Sequence, residues 1–146
     1  MTEAIVFTIP HRLVRFTVEG TPVGKARPRV TRTHTYTPQK TKDYENLIKW
    51  AFKSFHKGHK PIPKDTAIIL VVYAYFPIPK STPKKLREKM LKEEVLHTKK
   101  PDWDNIGKIV SDALNGLAYE DDSQVMGFVM KLYSDKPRIE VELRWR

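Results

Sequence analysis

The chain has 146 residues, with 27 Lys and Arg against 17 Asp and Glu, a formal net charge of +10, 40% hydrophobic residues and no cysteine. Such a chain is long enough to bury a core, and the missing cysteine excludes disulfides, thiolate metal sites and cysteine nucleophiles. The positive excess points to a polyanionic partner, nucleic acid before an anionic membrane surface.

Residues 1–12 read as a loose arm or an edge strand. Residues 13–19 alternate Leu13, Arg15, Thr17 against Val14, Phe16, Val18, the pattern of a strand, and Gly20 and Pro22 end it. Residues 25–32 form a basic loop carrying Lys25, Arg27, Arg29 and Arg32, candidates for DNA phosphate because a guanidinium donates in a plane. Thr37-Pro38 is a helix entry, Thr37 as cap and Pro38 at the first helical position. Tyr44, Leu47, Ile48, Ala51 and Phe55 supply that helix with an apolar stripe, and Gly58 ends it. Lys40, Lys42, Lys49 and Lys53 fall on its other faces and read as solvated. Residues 67–76 are almost continuously apolar and β-branched, a central strand buried on both faces. This run is too short to span a bilayer.

A proline-rich turn follows over residues 77–83. Residues 84–96 are highly charged with a thin apolar set (Leu86, Met90, Leu91, Val95), a peripheral helix suited to a mobile insertion or to contact with DNA through Lys84, Lys85, Arg87 and Lys89. His97 is a candidate proton carrier, although a lone histidine is more simply structural. Lys99 and Lys100 lead into the most unusual stretch of the chain and are candidate phosphate contacts.

Residues 102–122 gather Asp102, Asp104, Asp112, Glu120, Asp121 and Asp122 inside a cationic chain. Neighbouring carboxylates repel unless one takes a proton or a cation sits between them. Mg2+ takes oxygen ligands, commonly one or two carboxylates with water and substrate phosphate. Ile106, Ile109, Val110, Ala113, Leu114 and Leu117 have helical period, so a helix is predicted from near Asp104 to Gly116. Asp104, Lys108 and Asp112 recur at i, i+4, i+8 on its polar face. A blander reading makes Asp104 an N-cap, Asp102 a partner of the positive helix end, and Asp121-Asp122 an exposed turn. Trp103 should pack inward. An EF-hand is excluded, since Ala113 stands where the loop's last ligand would be Glu. Residues 124–134 and 138–146 read as a closing hairpin around Asp135-Lys136-Pro137. In its second strand Ile139, Val141, Leu143 and Trp145 alternate with charged residues.

The order strand, helix, strand, helix, helix, strand, strand predicts an α+β fold. Its two layers are a mixed sheet of about four or five strands and helices mainly on one face. Length fits one domain over residues 1–146. Residues 1–10 lack the basic start and apolar run of a signal peptide, so the expected location is the cytoplasm.

Pro-Asp-Trp-Asp-Asn-Ile-Gly-Lys (101–108), Ser-Asp-Ala-Leu (111–114) and Glu-Asp-Asp-Ser-Gln-Val (120–125) together resemble the RusA family of Holliday junction resolvases. Gly-Lys-Ala-Arg-Pro-Arg (24–29) and Tyr-Thr-Pro-Gln-Lys-Thr (36–41) are similar to many family members as well. The resemblance implies a RusA-like fold and an endonuclease that resolves four-way DNA junctions by paired nicks in recombination and repair. It implies a homodimer and a Mg2+ cofactor, with Mn2+ a possible substitute. Asp102, Asp104 and Asp122 would hold the metal, Asp121 and Asp112 being weaker candidates, and Lys108 would neutralise charge on the reacting phosphate. Two other readings stand beside this one. One is a non-catalytic basic nucleic-acid module whose acids are caps and turns. The other is a nuclease acting on flaps or RNA. No membrane partner is expected.

Overall fold

The structure, a computed structural model, describes residues 12–146. The arm or edge strand expected before residue 12 lies outside the described residues. The elements are β1 (Arg12–Glu19), β2 (Arg29–Val30), β3 (Thr35–Tyr36), α1 (Gln39–Phe55), β4 (Ile68–Pro77), α2 (Lys84–Leu91), α3 (Trp103–Leu114), a 3-10 turn (Asp122–Gln124), β5 (Val125–Ser134) and β6 (Arg138–Trp145). The architecture is the α+β arrangement predicted, with a mixed four-stranded sheet of order β1-β6-β4-β5 and a separate β2-β3 ribbon in the basic loop.

β4 is the central strand because its sequence offers apolar side chains to both faces. Ile68, Leu70, Val72, Ala74 and Phe76 join one core with Tyr44, Ile48, Ala51 and Phe52 of α1 and with Ile106, Ile109, Val110, Ala113 and Leu114 of α3. From β1 and β6, Phe16, Val18, Ile139, Val141 and Leu143 complete that core. The opposite face of β4 carries Ile69, Tyr73 and Tyr75, half-buried, paired with Arg144, Glu140 and Arg138 of β6. There Arg138 lies over the Tyr75 ring at 4.0 Å. Glu142 holds Arg15 at 3.0 Å and Arg144 at 2.5 Å.

The expected closing hairpin is corrected. β5 and β6 are real strands, but β4 lies between them, parallel to β5 and antiparallel to β6. Their link, residues 135–137, passes the end of β4, where Ser134 stands opposite Pro77. Two inter-strand spacings are about 10 Å, which three linking residues can span. Ser134 Oγ accepts from the Lys136 N–H at 3.1 Å and from Arg138 Nη1 at 3.2 Å, which fixes the crossing.

Three smaller corrections are end effects. Both proline helix entries begin one residue late. Pro38 and Pro83 are themselves the N-caps, in extended backbone, with their carbonyls accepting from Thr41 and Arg87. α1 buries Phe52, edge-on to Phe16 at 5.5 Å, while the expected stripe members Leu47 and Phe55 are exposed. α2 stops at Leu91 instead of continuing to residue 96, and is tied down by buried Met90 and by an Arg87–Asp135 ion pair.

His97 is not free to carry protons at the sheet end. Its ring stacks on Phe76 at 3.7 Å, tilts against Tyr133 at 5.3 Å, and buries Nδ1 with no partner among the described residues. The His97 backbone N–H donates to the Lys131 carbonyl at 3.2 Å, and Lys131 Nζ donates to the Lys99 carbonyl at 2.5 Å. This latch delivers the chain to residue 102. Burial lowers the imidazole pKa to about 4, helped by the positive charges of Lys131 and Lys99.

Candidate active site

α3 is built to present one face. Ile106, Ile109, Val110, Ala113 and Leu114 are fully buried, which leaves Asp104, Lys108, Ser111 and Asp112 along the other side. Opposite them runs β5, an edge strand with no partner beyond β4 among the described residues. The two are close at Gly107, where a Cβ would stand in van der Waals contact with Val129 Cγ2 at 3.4 Å. Between them opens a cleft of about 300 Å³ lined by Trp103, Asp104, Lys108, Asp112 and Asp122 and walled by residues 125–129.

Asp122 reaches that cleft because the return from α3 is clamped. The fully buried Tyr119 donates its hydroxyl to the Ser111 carbonyl at 2.6 Å. The Ile62 N–H donates to the Ala118 carbonyl, and the Glu120 N–H donates back to Ile62. Gln124 is the hub of this clamp. Its buried amide donates to the carbonyls of Pro63 at 2.7 Å and Thr66 at 2.9 Å, and its oxygen accepts from the Asp121 N–H at 2.9 Å. A buried amide so fully paired fixes a single local conformation. Sequence reasoning assigned no role to Tyr119 or Gln124. The only signal of Gln124 was its place in the Asp-Asp-Ser-Gln-Val motif.

The predicted carboxylates separate by task. Asp104, Asp112 and Asp122 line the cleft, and of these Asp112 is held by two lysines. Asp102 is the N-cap residue of α3 but makes no side-chain cap bond, and its carboxylate pairs with Lys100 at 2.9 Å. Asp104 lies inside the helix, so it is no cap either. Asp121 is a cap: its carboxylate accepts from the Ser123 N–H and hydroxyl, bonds that hold its pKa below the ordinary carboxylate value. Among the described residues, no three His, Asp or Glu side chains stand together as a ready-made metal cage. Asp104 and Asp122, the cleft carboxylates that no lysine holds among the described residues, do suit a hard cation that completes its shell with water and substrate phosphate.

Asp112 belongs to a charge relay of a different kind. Its two oxygens lie 3.4 Å from Lys108 Nζ and 3.2 Å from Lys25 Nζ, and Lys25 also meets Glu45 at 2.5 Å. Burial pulls the Lys25 pKa down, but hydrogen bonds and attraction from Glu45 and Asp112 outweigh it and raise the pKa overall. Lys25 therefore points inward, fastening the basic loop to α1 and α3. Its N–H donates to the Asn105 carbonyl at 2.8 Å. Gly24 permits this, since a Cβ there would stand 2.7 Å from Pro101 Cβ.

The other basic residues lie across the ridge formed by residues 100–104. A groove of about 610 Å³ is lined by Arg27, Arg29, Lys40 and Lys100, with Pro22, Pro38 and Pro101 as its walls. Lys40, read from sequence as solvated, lines this groove too. Arg32 and Lys99 are exposed and line neither cavity. Trp103 overturns the expectation of inward packing: it is 60% exposed, on the ridge and at the cleft mouth.

Residues 19–144 match the family Endodeoxyribonuclease RusA. The chain is also similar to "Uncharacterized protein YqaN" of Bacillus subtilis (strain 168), with 39% identity over 136 residues, covering 90% of this chain and 95% of that one. The chain belongs to the RusA endodeoxyribonuclease family.

Proposed function

We propose that this member of the RusA endodeoxyribonuclease family is a Mg2+-dependent nuclease, able to use Mn2+, that resolves four-way DNA junctions by paired nicks and so serves recombination and repair. The observation that carries the reading is the convergence of Asp104, Asp122 and Lys108 on one cleft, beside a basic groove, in a chain of net charge +10.

Asp104 and Asp122 supply two cleft carboxylates as ligands, and Asp102 a third ligand once a phosphate draws Lys100 away. Asp121 is the weakest candidate because its oxygens are committed to Ser123. A cation held by these carboxylates would supply water activation and charge stabilisation at the leaving oxygen. Lys108, held toward the cleft by Asp112, neutralises charge building on the non-bridging phosphate oxygens. Arg27, Arg29, Lys40 and Lys100 hold the adjoining phosphates in the groove, and Arg32 and Lys99 extend that surface. Lys25 contributes by fixing the loop and Asp112.

Resolution needs two opposed cuts, which a two-fold dimer provides on a pseudo-two-fold junction. The apolar residues Leu143 and Trp145 of β6 do not offer a dimer face, since Leu143 is fully buried within the chain and Trp145 packs against the same core. The edge of β5, with Met126, Phe128 and Met130 exposed, is the better surface for a second copy.

A labelled four-way junction incubated with and without Mg2+, beside flap and RNA substrates, tests the reading. Paired nicks on the junction alone, only with metal, are expected. Preferred cutting of flaps or RNA, or binding without cutting, would support the other readings. Sedimentation should give twice the 17.1 kDa chain mass.

A further inference from the structure

An indole is costly to leave in water, because it carries a large apolar area and only one polar atom. Trp103 is nonetheless 60% exposed. It is the first residue of α3, between Asp102 and Asp104, and it lines the same cleft as Asp104, Lys108 and Asp122. One turn on, Gly107 presents no side chain to shield it. Helical side chains lean toward the N-terminus, so the indole is carried toward the ridge that divides cleft from basic groove.

The groups lining this one cleft suit two parts of a nucleotide. Carboxylates and Lys108 suit the phosphate and its cation, while an exposed aromatic face suits a base. We propose that Trp103 is a stacking platform for a nucleobase displaced from the helical stack beside the cleaved phosphate. This rests on the nuclease reading and deepens it, for it names what makes the site select branched DNA. In a linear duplex both faces of every interior base are covered by its neighbours. At a branch point the outermost bases have a free face. Every base has a π-face, so the platform favours structure and tolerates sequence.

The test uses a four-way junction with 2-aminopurine at the branch and a linear duplex carrying the same base, each with wild type, Trp103→Ala and Trp103→Phe. Binding is read without metal and single-turnover nicking with Mg2+. Loss of one base–aromatic stack should weaken junction binding and nicking by about 5- to 100-fold, while duplex binding and the melting temperature stay unchanged. Trp103→Phe should restore most of the loss and of the 2-aminopurine quenching. Equal weakening on junction and duplex, unchanged quenching in Trp103→Ala, or a halved sedimentation mass (Trp103 serving a protein interface) would each overturn the platform. A wild type that cuts nothing would refute the nuclease reading, while quenching lost in Trp103→Ala would still support the stack.

Discussion

His97 illustrates how one side chain can hold a site it does not touch. Its ring is clamped against Phe76 and Tyr133, five residues before the N-cap of α3, and its pKa falls to about 4 from an ordinary 6.5. The unfolded chain then binds a proton that the native chain refuses. Its contribution to stability is complete above pH 6.5 and is lost as pH falls toward 4. Melting temperature should drop between pH 6.5 and about 5, before most carboxylates titrate. In His97→Phe, which keeps the stack without the charge, that slope should vanish. An equal slope in the variant would mean that other groups cause it. The residue was visible in sequence, but nothing there placed an aromatic on either side of it.

At the scale of elements, β5 is where packing is least forgiving. Gly127 stands opposite Leu70 in the parallel ladder, and a Cβ there would lie 1.7 Å from the Leu70 carbonyl oxygen. Backbone cannot yield as a flexible side chain can, so Gly127→Ala must push β5 from β4. A cost of roughly 2 kcal/mol or more is expected, with a lower melting temperature. Residues 125–129 wall the cleft, so nicking should fall with it. Calorimetry beside a nicking assay checks both, and an unchanged melt would contradict the close approach.

Element type was largely legible because period and punctuation are local. The alternation of β6 was read correctly from spacing alone, and so was the apolar stripe of α3 except for Leu117, which lies past the helix end at Leu114. Strand order was not legible, because alternation states which face is buried and not which strand is adjacent. Nothing in residues 124–146 announced that β4 would lie between β5 and β6. Trp103 and Phe55 were misread for a shared reason. At about 100° per residue each has the azimuth of its helix's buried stripe, but each is a terminal helical residue beyond the reach of the core. The acidic cluster was legible as a group. Which acid faces the cleft and which caps a turn depended on Gln124 and Lys25, whose partners are distant in sequence.

The whole molecule places basic groove and acidic cleft on opposite sides of one ridge, so affinity and chemistry should separate. Junction affinity should fall with log salt at roughly −0.9 per phosphate neutralised. Replacing Arg27 and Arg29 by Ala should flatten that slope by about 1 to 2 units. Lys25→Gln should leave the slope intact and still slow nicking, because Lys25 is held by Glu45 and Asp112. Equal slopes for wild type and the Arg variant would remove the loop from the DNA surface.

The central claim is that Asp104 supplies an anionic oxygen to a metal-dependent cut, and Asp104→Asn tests it most directly. The substitution preserves size, and no cap is lost because Asp104 lies inside α3, past the N-cap position at Asp102. Single-turnover nicking of a labelled junction should fall on the order of 10² or more, while the melt is unchanged and junction binding is equal or tighter. A folded, junction-binding Asp104→Asn chain that nicks at near the wild-type rate would contradict the account.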